Sequence, residues 1–195
     1  MNEEIANKVA YCQQILDQAL DILPKQKDLE LFDKALEAIS MINQYQIIEL
    51  SNLVQKIMEI KELKSLAVES LGFWLQVPCF KEQAYKMFLE DPDPEIKYTA
   101  LLSWASYYVG TKNPIVLKKL YMILINDKYP VPIRSIALTG ILKVSTFKYK
   151  HDYLSMANLM NITSKEIFFE QVNWQVIMKI MKIYAPKALK IYPIK

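Results

Sequence analysis

Asp91-Pro92-Asp93-Pro94-Glu95-Ile96-Lys97-Tyr98-Thr99-Ala100 is the stretch on which the fold turns. Two Asp-Pro dipeptides interrupt any helix that arrives from the left. Pro94 then stands where a new helix tolerates proline, in its first turn, because the missing N–H would have no intrahelical partner anyway. Ile96 and Ala100 are four positions apart and share one helix face. Alanine there lets a neighbouring helix approach closely, and larger residues on either side fill the flanking space. The same aliphatic-to-alanine step recurs at Leu31–Ala35, Leu63–Ala67 and Ile133–Ala137. The first residues of the four steps lie 32, 33 and 37 positions apart. Spacing of that size marks stacked repeats, in which a single unit cannot bury its own apolar face.

Working outward, apolar residues recur with a helical period nearly end to end, and no alternating strand pattern interrupts them. The pattern predicts ten helices, at 3–22, 28–43, 45–59, 61–76, 79–90, 94–109, 114–126, 131–146, 149–161 and 164–184. Breakers separate them: Pro24, Pro78, Pro92 with Pro94, Asn113-Pro114, and Pro130 with Pro132. Gly110 reads as a helix stop, and Thr163-Ser164 offers hydroxyls to cap the last long helix. Taken as pairs, the second helix of each unit carries an apolar stripe at i, i+4 and i+8. The stripes are Leu31/Ala35/Ile39, Leu63/Ala67/Leu71, Ile96/Ala100/Trp104 and Ile133/Ala137/Ile141, with Phe168/Val172/Val176 as a variant fifth. The tail 187–195 is basic and is expected to dock loosely.

The segment 91–100 resembles the core of a HEAT repeat, an acidic proline-bearing turn followed by an aliphatic residue, a basic residue, two variable positions and alanine. Asp127-Lys128-Tyr129-Pro130-Val131-Pro132-Ile133-Arg134-Ser135-Ile136-Ala137 repeats it with one insertion, while 63–67 and 31–35 keep only parts. The resemblance is good over 91–146 and degenerate elsewhere. It implies an all-α fold, a right-handed α-solenoid of about five HEAT-like antiparallel helix pairs, forming one domain over 1–195. It also implies that Lys97 and Arg134 bond to turn aspartates. If the second helices line a concave side, as in such arrays, a stripe two and six positions after each aliphatic mark faces a partner. That stripe reads Asp33/Glu37, Ser65/Glu69, Tyr98/Leu102 and Ser135/Thr139, with Lys143 and Lys179 beyond it.

Charge follows the same order. Residues 1–96 hold seventeen Asp/Glu against nine Lys, a net −8, and residues 97–195 hold four Asp/Glu against fifteen Lys/Arg, a net +11. In a solenoid these become a negative end and a positive end, nearly independent at a Debye length of about 8 Å. Of the 24 basic residues only Arg134 is an arginine, so bidentate reading of phosphate or guanine has one guanidinium to draw on. Cys12 and Cys79 are isolated and read as buried thiols in a reducing compartment. The opening Met1-Asn2-Glu3-Glu4-Ile5 is acidic and amphipathic, unlike a secretory leader. No apolar run nears the roughly 18 residues of a membrane span. A cytoplasmic protein without a membrane partner is the expectation.

Catalytic chemistry is hard to assemble. His151 is the only histidine, so a triad or a histidine metal site has nothing to build on, and its neighbour Asp152 reads as a solvated loop partner. Gly72, Gly110 and Gly140 are far apart, which excludes a glycine-rich phosphate loop. Glu90, Asp91, Asp93 and Glu95 cluster, and helix capping accounts for them, since helix N-termini favour negative charge. Trp74, Trp104 and Trp174 are assigned to the core. Tyr98 and the pair Tyr107-Tyr108 are candidate contact residues, because tyrosine gives rigid amphipathic contact area. No catalytic residue, cofactor or metal is expected. The expected function is a non-enzymatic protein-binding module with Asp33, Glu37, Glu69, Tyr98, Tyr107 and Lys143 at its contact face. The specific form is an immunity protein that neutralises a cognate bacterial toxin, such as a basic nuclease domain. Some immunity proteins of contact-dependent growth inhibition systems look like short HEAT arrays. The alternative is a nucleic-acid-binding or DNA-repair protein on a HEAT-like scaffold, and a third reading is a scaffold joining two partners.

Overall fold

Every regular element that the computed structural model describes, over residues 3–145 and 165–191, is helical. Two compact units divide the chain, Met1–Trp104 and Ala105–Lys195.

In the first unit α1 (Glu3–Ile22) packs along α2 (Leu29–Tyr45) and against α3 (Ser51–Ile57). Asp28 caps α2, accepting the Leu31 amide at 3.0 Å, as a short side-chain oxygen before a helix should. A 3-10 turn at Lys61–Leu63 leads into α4 (Lys64–Glu69), which continues as a π-helical turn, Ser70–Trp74. α5 (Phe80–Glu90) and α6 (Pro94–Ser106) follow. The turn between them forms as its acids dictate. Asp91 Oδ1 accepts the Asp93 amide at 3.0 Å, and Asp93 Oδ1 accepts the Glu95 amide at 2.9 Å. Asp91 Oδ2 takes Lys64 Nζ at 2.6 Å. Lys64 thus makes the bond expected of Lys97, which acts on Asp91 through its charge alone.

In the second unit α7 (Pro114–Ile125) and α8 (Val131–Ser145) pack closely, and α9 (Lys165–Gln171), α10 (Trp174–Tyr184) and α11 (Pro186–Ile191) follow. Asn113 caps α7, accepting the Ile115 and Val116 amides at 3.0 and 3.2 Å, with Pro114 at the first helical position. At Gly140 a Cβ would meet Leu120 Cδ1 at 3.0 Å, so α7 and α8 approach closely there. Gly110 adopts φ 75° and its amide donates to the Lys143 carbonyl at 3.0 Å, the stop that the sequence predicts.

All four aliphatic–alanine stripes are buried from end to end, and so are Phe168, Val172 and Val176. Several other expectations need correction. The helix predicted over 164–184 is broken at Val172-Asn173, where Asn173 Oδ1 accepts the Val176 amide at 3.2 Å and starts α10. The segments 45–59 and 61–76 are each divided between α and other helical turns. Part of the basic tail is ordered as α11, with Ala188 buried. Cys79 is exposed, while Cys12 is buried as expected. The helix predicted at 149–161, the Thr163-Ser164 cap, His151 and Asp152 lie outside the described residues.

Candidate interaction surface

The acidic face of the first unit begins on α2. Asp33 and Glu37, one turn apart, are both exposed beside the exposed Glu30–Lys34 pair. Behind them burial, and then the Glu37 charge, push the Cys12 thiol above its ordinary value. Its Sγ donates weakly to the Ala38 carbonyl at 3.5 Å.

The geometry around Glu69 is more specific. In an unbroken α-helix Trp74 would lie three residues past Leu71 and seven past Ala67, on the buried face. The π-helical turn carries one extra residue, because its bonding runs five residues apart. Leu75 N accordingly donates to Ser70 O at 2.9 Å. That residue rotates Trp74 off the core face, and it is 46% exposed. The expected core assignment of Trp74 is therefore wrong. The same turn brings residues five apart into register, so the Trp74 indole N–H donates to Glu69 Oε1 at 3.2 Å. Phe73 supports the indole edge-on, with centroids 5.2 Å apart at 87°.

The π turn is seated by its neighbours. Ser70 Oγ donates to the Asn43 side-chain oxygen on α2. Ser103 Oγ on α6 donates to the Val68 carbonyl at 3.1 Å. Gly72 lets α6 in so closely that a Cβ there would sit 2.3 Å from Ser103 Cβ. One turn earlier the Ser65 and Thr99 hydroxyls meet at 2.9 Å. Tyr98, half-buried beside this contact, has its phenol pushed above the ordinary value by burial and by the Glu69 charge. Of the predicted contact residues, Glu69 is tied to Trp74, and its charge reaches Tyr98 on α6. The residue that sequence reasoning missed is Trp74, for which the helical period gave the opposite signal.

In the second unit Tyr107 and Lys143 are half-buried, and Ser135 of the projected stripe is buried. The stripe is therefore not a continuous surface on α8. Arg134 is 1% exposed, with its Nε donating to the Leu124 carbonyl at 2.8 Å instead of to a turn aspartate. Its guanidinium carbon lies 5.1 Å from the Phe168 ring centre and 4.7 Å from that of Phe169. Burial lowers its pKa and the Asp127 charge opposes this. Trp104 is buried, as predicted, and Trp174 is half-buried with its indole N–H donating to the Phe169 carbonyl at 2.9 Å.

Among the described residues no group of three His, Cys, Asp or Glu side chains is placed to hold a metal, and no helix is long and apolar enough to cross a membrane. Comparison with known proteins finds no matching family model, curated protein or solved structure.

Proposed function

We propose that the chain is a non-enzymatic, cytoplasmic protein-binding module, each of its units built from HEAT-like helix pairs, and that the first unit receives a basic partner protein. The observation that carries this reading is the exposed Trp74, whose indole N–H is bonded to the Glu69 carboxylate on an acidic unit. The unit that bears them, residues 1–104, holds seventeen Asp/Glu against ten Lys, a net −7. Complementary charge speeds encounter with a basic surface, and aromatic anchors supply most of the affinity. The specific form we favour is an immunity protein that neutralises a basic toxin domain such as a nuclease.

Co-purification from the native host, with quantification of a stoichiometric partner, identifies what is bound. The triple variant Asp33→Lys/Glu37→Lys/Glu69→Lys is then expected to weaken that complex by about tenfold or more, as loss of complementary charges at an interface does. Undiminished binding would remove the acidic face from the interface.

The second unit, residues 105–195, holds fourteen Lys/Arg against four Asp/Glu, a net +10, which favours nucleic acid as the alternative ligand. Burial of Arg134 weighs against it, since the one guanidinium is committed to the core. Titration with duplex and single-stranded DNA at two salt concentrations separates the cases. A specific binder loses affinity with salt at roughly one log–log unit per phosphate contacted.

A further inference from the structure

We propose that the Trp74–Glu69 corner is the anchor point for an arginine or lysine side chain of the partner, with the cation lying on the indole ring and meeting the Glu69 carboxylate. This rests on the reading of the first unit as a protein-binding surface and names the chemistry of its centre.

Tryptophan offers the most electron-rich face of the aromatic side chains to a cation. Trp74 is already held by its bond to Glu69 and by Phe73, so little rotamer freedom is lost when a ligand arrives. Donating the indole N–H to a carboxylate polarises the ring further in the same sense. Ion pairs of the first unit join Glu4–Lys8, Asp21–Lys25, Glu30–Lys34, Lys64–Asp91 and Lys86–Glu90, and among the described residues none involves Glu69. A cation docked here neutralises part of the net −7 of the unit. An anionic ligand or a purely apolar one would meet Glu69 unfavourably.

The test uses the full chain, labelled with 15N, and the peptide acetyl-Gly-Arg-Gly-Arg-Gly-amide as probe. Its lysine, glutamate and norleucine counterparts serve as controls. The Trp74 indole resonance, identified by its loss in Trp74→Phe, is expected to move saturably with the arginine and lysine peptides and to stay in place with the other two. Glu69→Gln, which keeps the acceptor for the indole, is expected to weaken the response about two- to fivefold. Equal movement with the norleucine peptide, or an unchanged response in Glu69→Gln, would overturn the assignment. Shifts at the Asp33 and Glu37 amides with Trp74 still would reject this anchor and leave the acidic-surface reading standing. Silence throughout the first unit would reject both.

Discussion

Replacing Gly72 by alanine tests the packing that displays Trp74. The new Cβ would fall 2.3 Å from Ser103 Cβ, 2.8 Å from its Oγ and 3.2 Å from its Cα. Carbon atoms rest at about 3.5–4.0 Å, so α6 and the π turn must part by roughly an ångström. Overpacking of this kind costs about 1–3 kcal/mol. Parting also strips the Ser103 hydroxyl from the Val68 carbonyl, about 1 kcal/mol more. Alanine in place of glycine in a helix returns roughly 0.5–1 kcal/mol. The expected net loss is about 2 kcal/mol, a fall in Tm on the order of 10 °C for a unit of this size. Urea and thermal melts followed by circular dichroism measure it. The decisive comparison is with Ser103→Gly, which removes the Cβ and Oγ and leaves only the Cα nearby. In that background Gly72→Ala is expected to cost less by about 1–2 kcal/mol, a coupling that contacting residues show and distant ones do not. Strict additivity of the two changes, or a Gly72→Ala protein as stable as wild type, would refute the close approach.

Burial alone would raise the Asp91 carboxyl, but the Lys64 bond, the Asp93 amide and the Lys64 and Lys97 charges outweigh it and hold it below its ordinary value of 3.8. A depressed folded value stabilises fully at pH above the unfolded value and is lost as pH falls through 3.8 towards the folded one. Asp91→Asn should therefore cost about 1 kcal/mol at neutral pH and progressively less in acid, and a gap that widens on acidification would contradict the assignment. Arg134→Ala is expected to cost about 3 kcal/mol by leaving a cavity and an orphaned Leu124 carbonyl, and Arg134→Lys to recover less than half of it, because an ammonium has neither the Nε donor nor the flat cation that lies near the Phe168 and Phe169 rings. A lysine variant with a wild-type urea midpoint would show that the guanidinium plane is dispensable. Titration of the native protein with a thiol reagent should label Cys79 rapidly and Cys12 only on unfolding, as exposure and the raised Cys12 thiol require. Two equally fast thiols would contradict this burial pattern.

Helicity, the turn at 91–95 and the buried stripes were all legible in the chain, because each depends on residues within one or two turns of one another. Asp91 and Asp93 cap from their own positions, and Leu63, Ala67 and Leu71 share a face by spacing alone. Asp33, Glu37, Glu69 and Tyr98 were reached by projecting that spacing outward. What tertiary structure alone decided is where the local rule gives way. Close approach of Ser103 to Gly72 accompanies a turn with one residue too many, which rotates Trp74 from the face its period predicts. Trp74 therefore ends outside, bonded to a carboxylate five residues back, although its spacing says core. That the Arg134 guanidinium takes the Leu124 carbonyl of the preceding helix and lies near the Phe168 and Phe169 rings, 34 and 35 residues on, likewise depends on how the helices pack. Periodicity says which residues point the same way, whereas only packing says what stands in front of them.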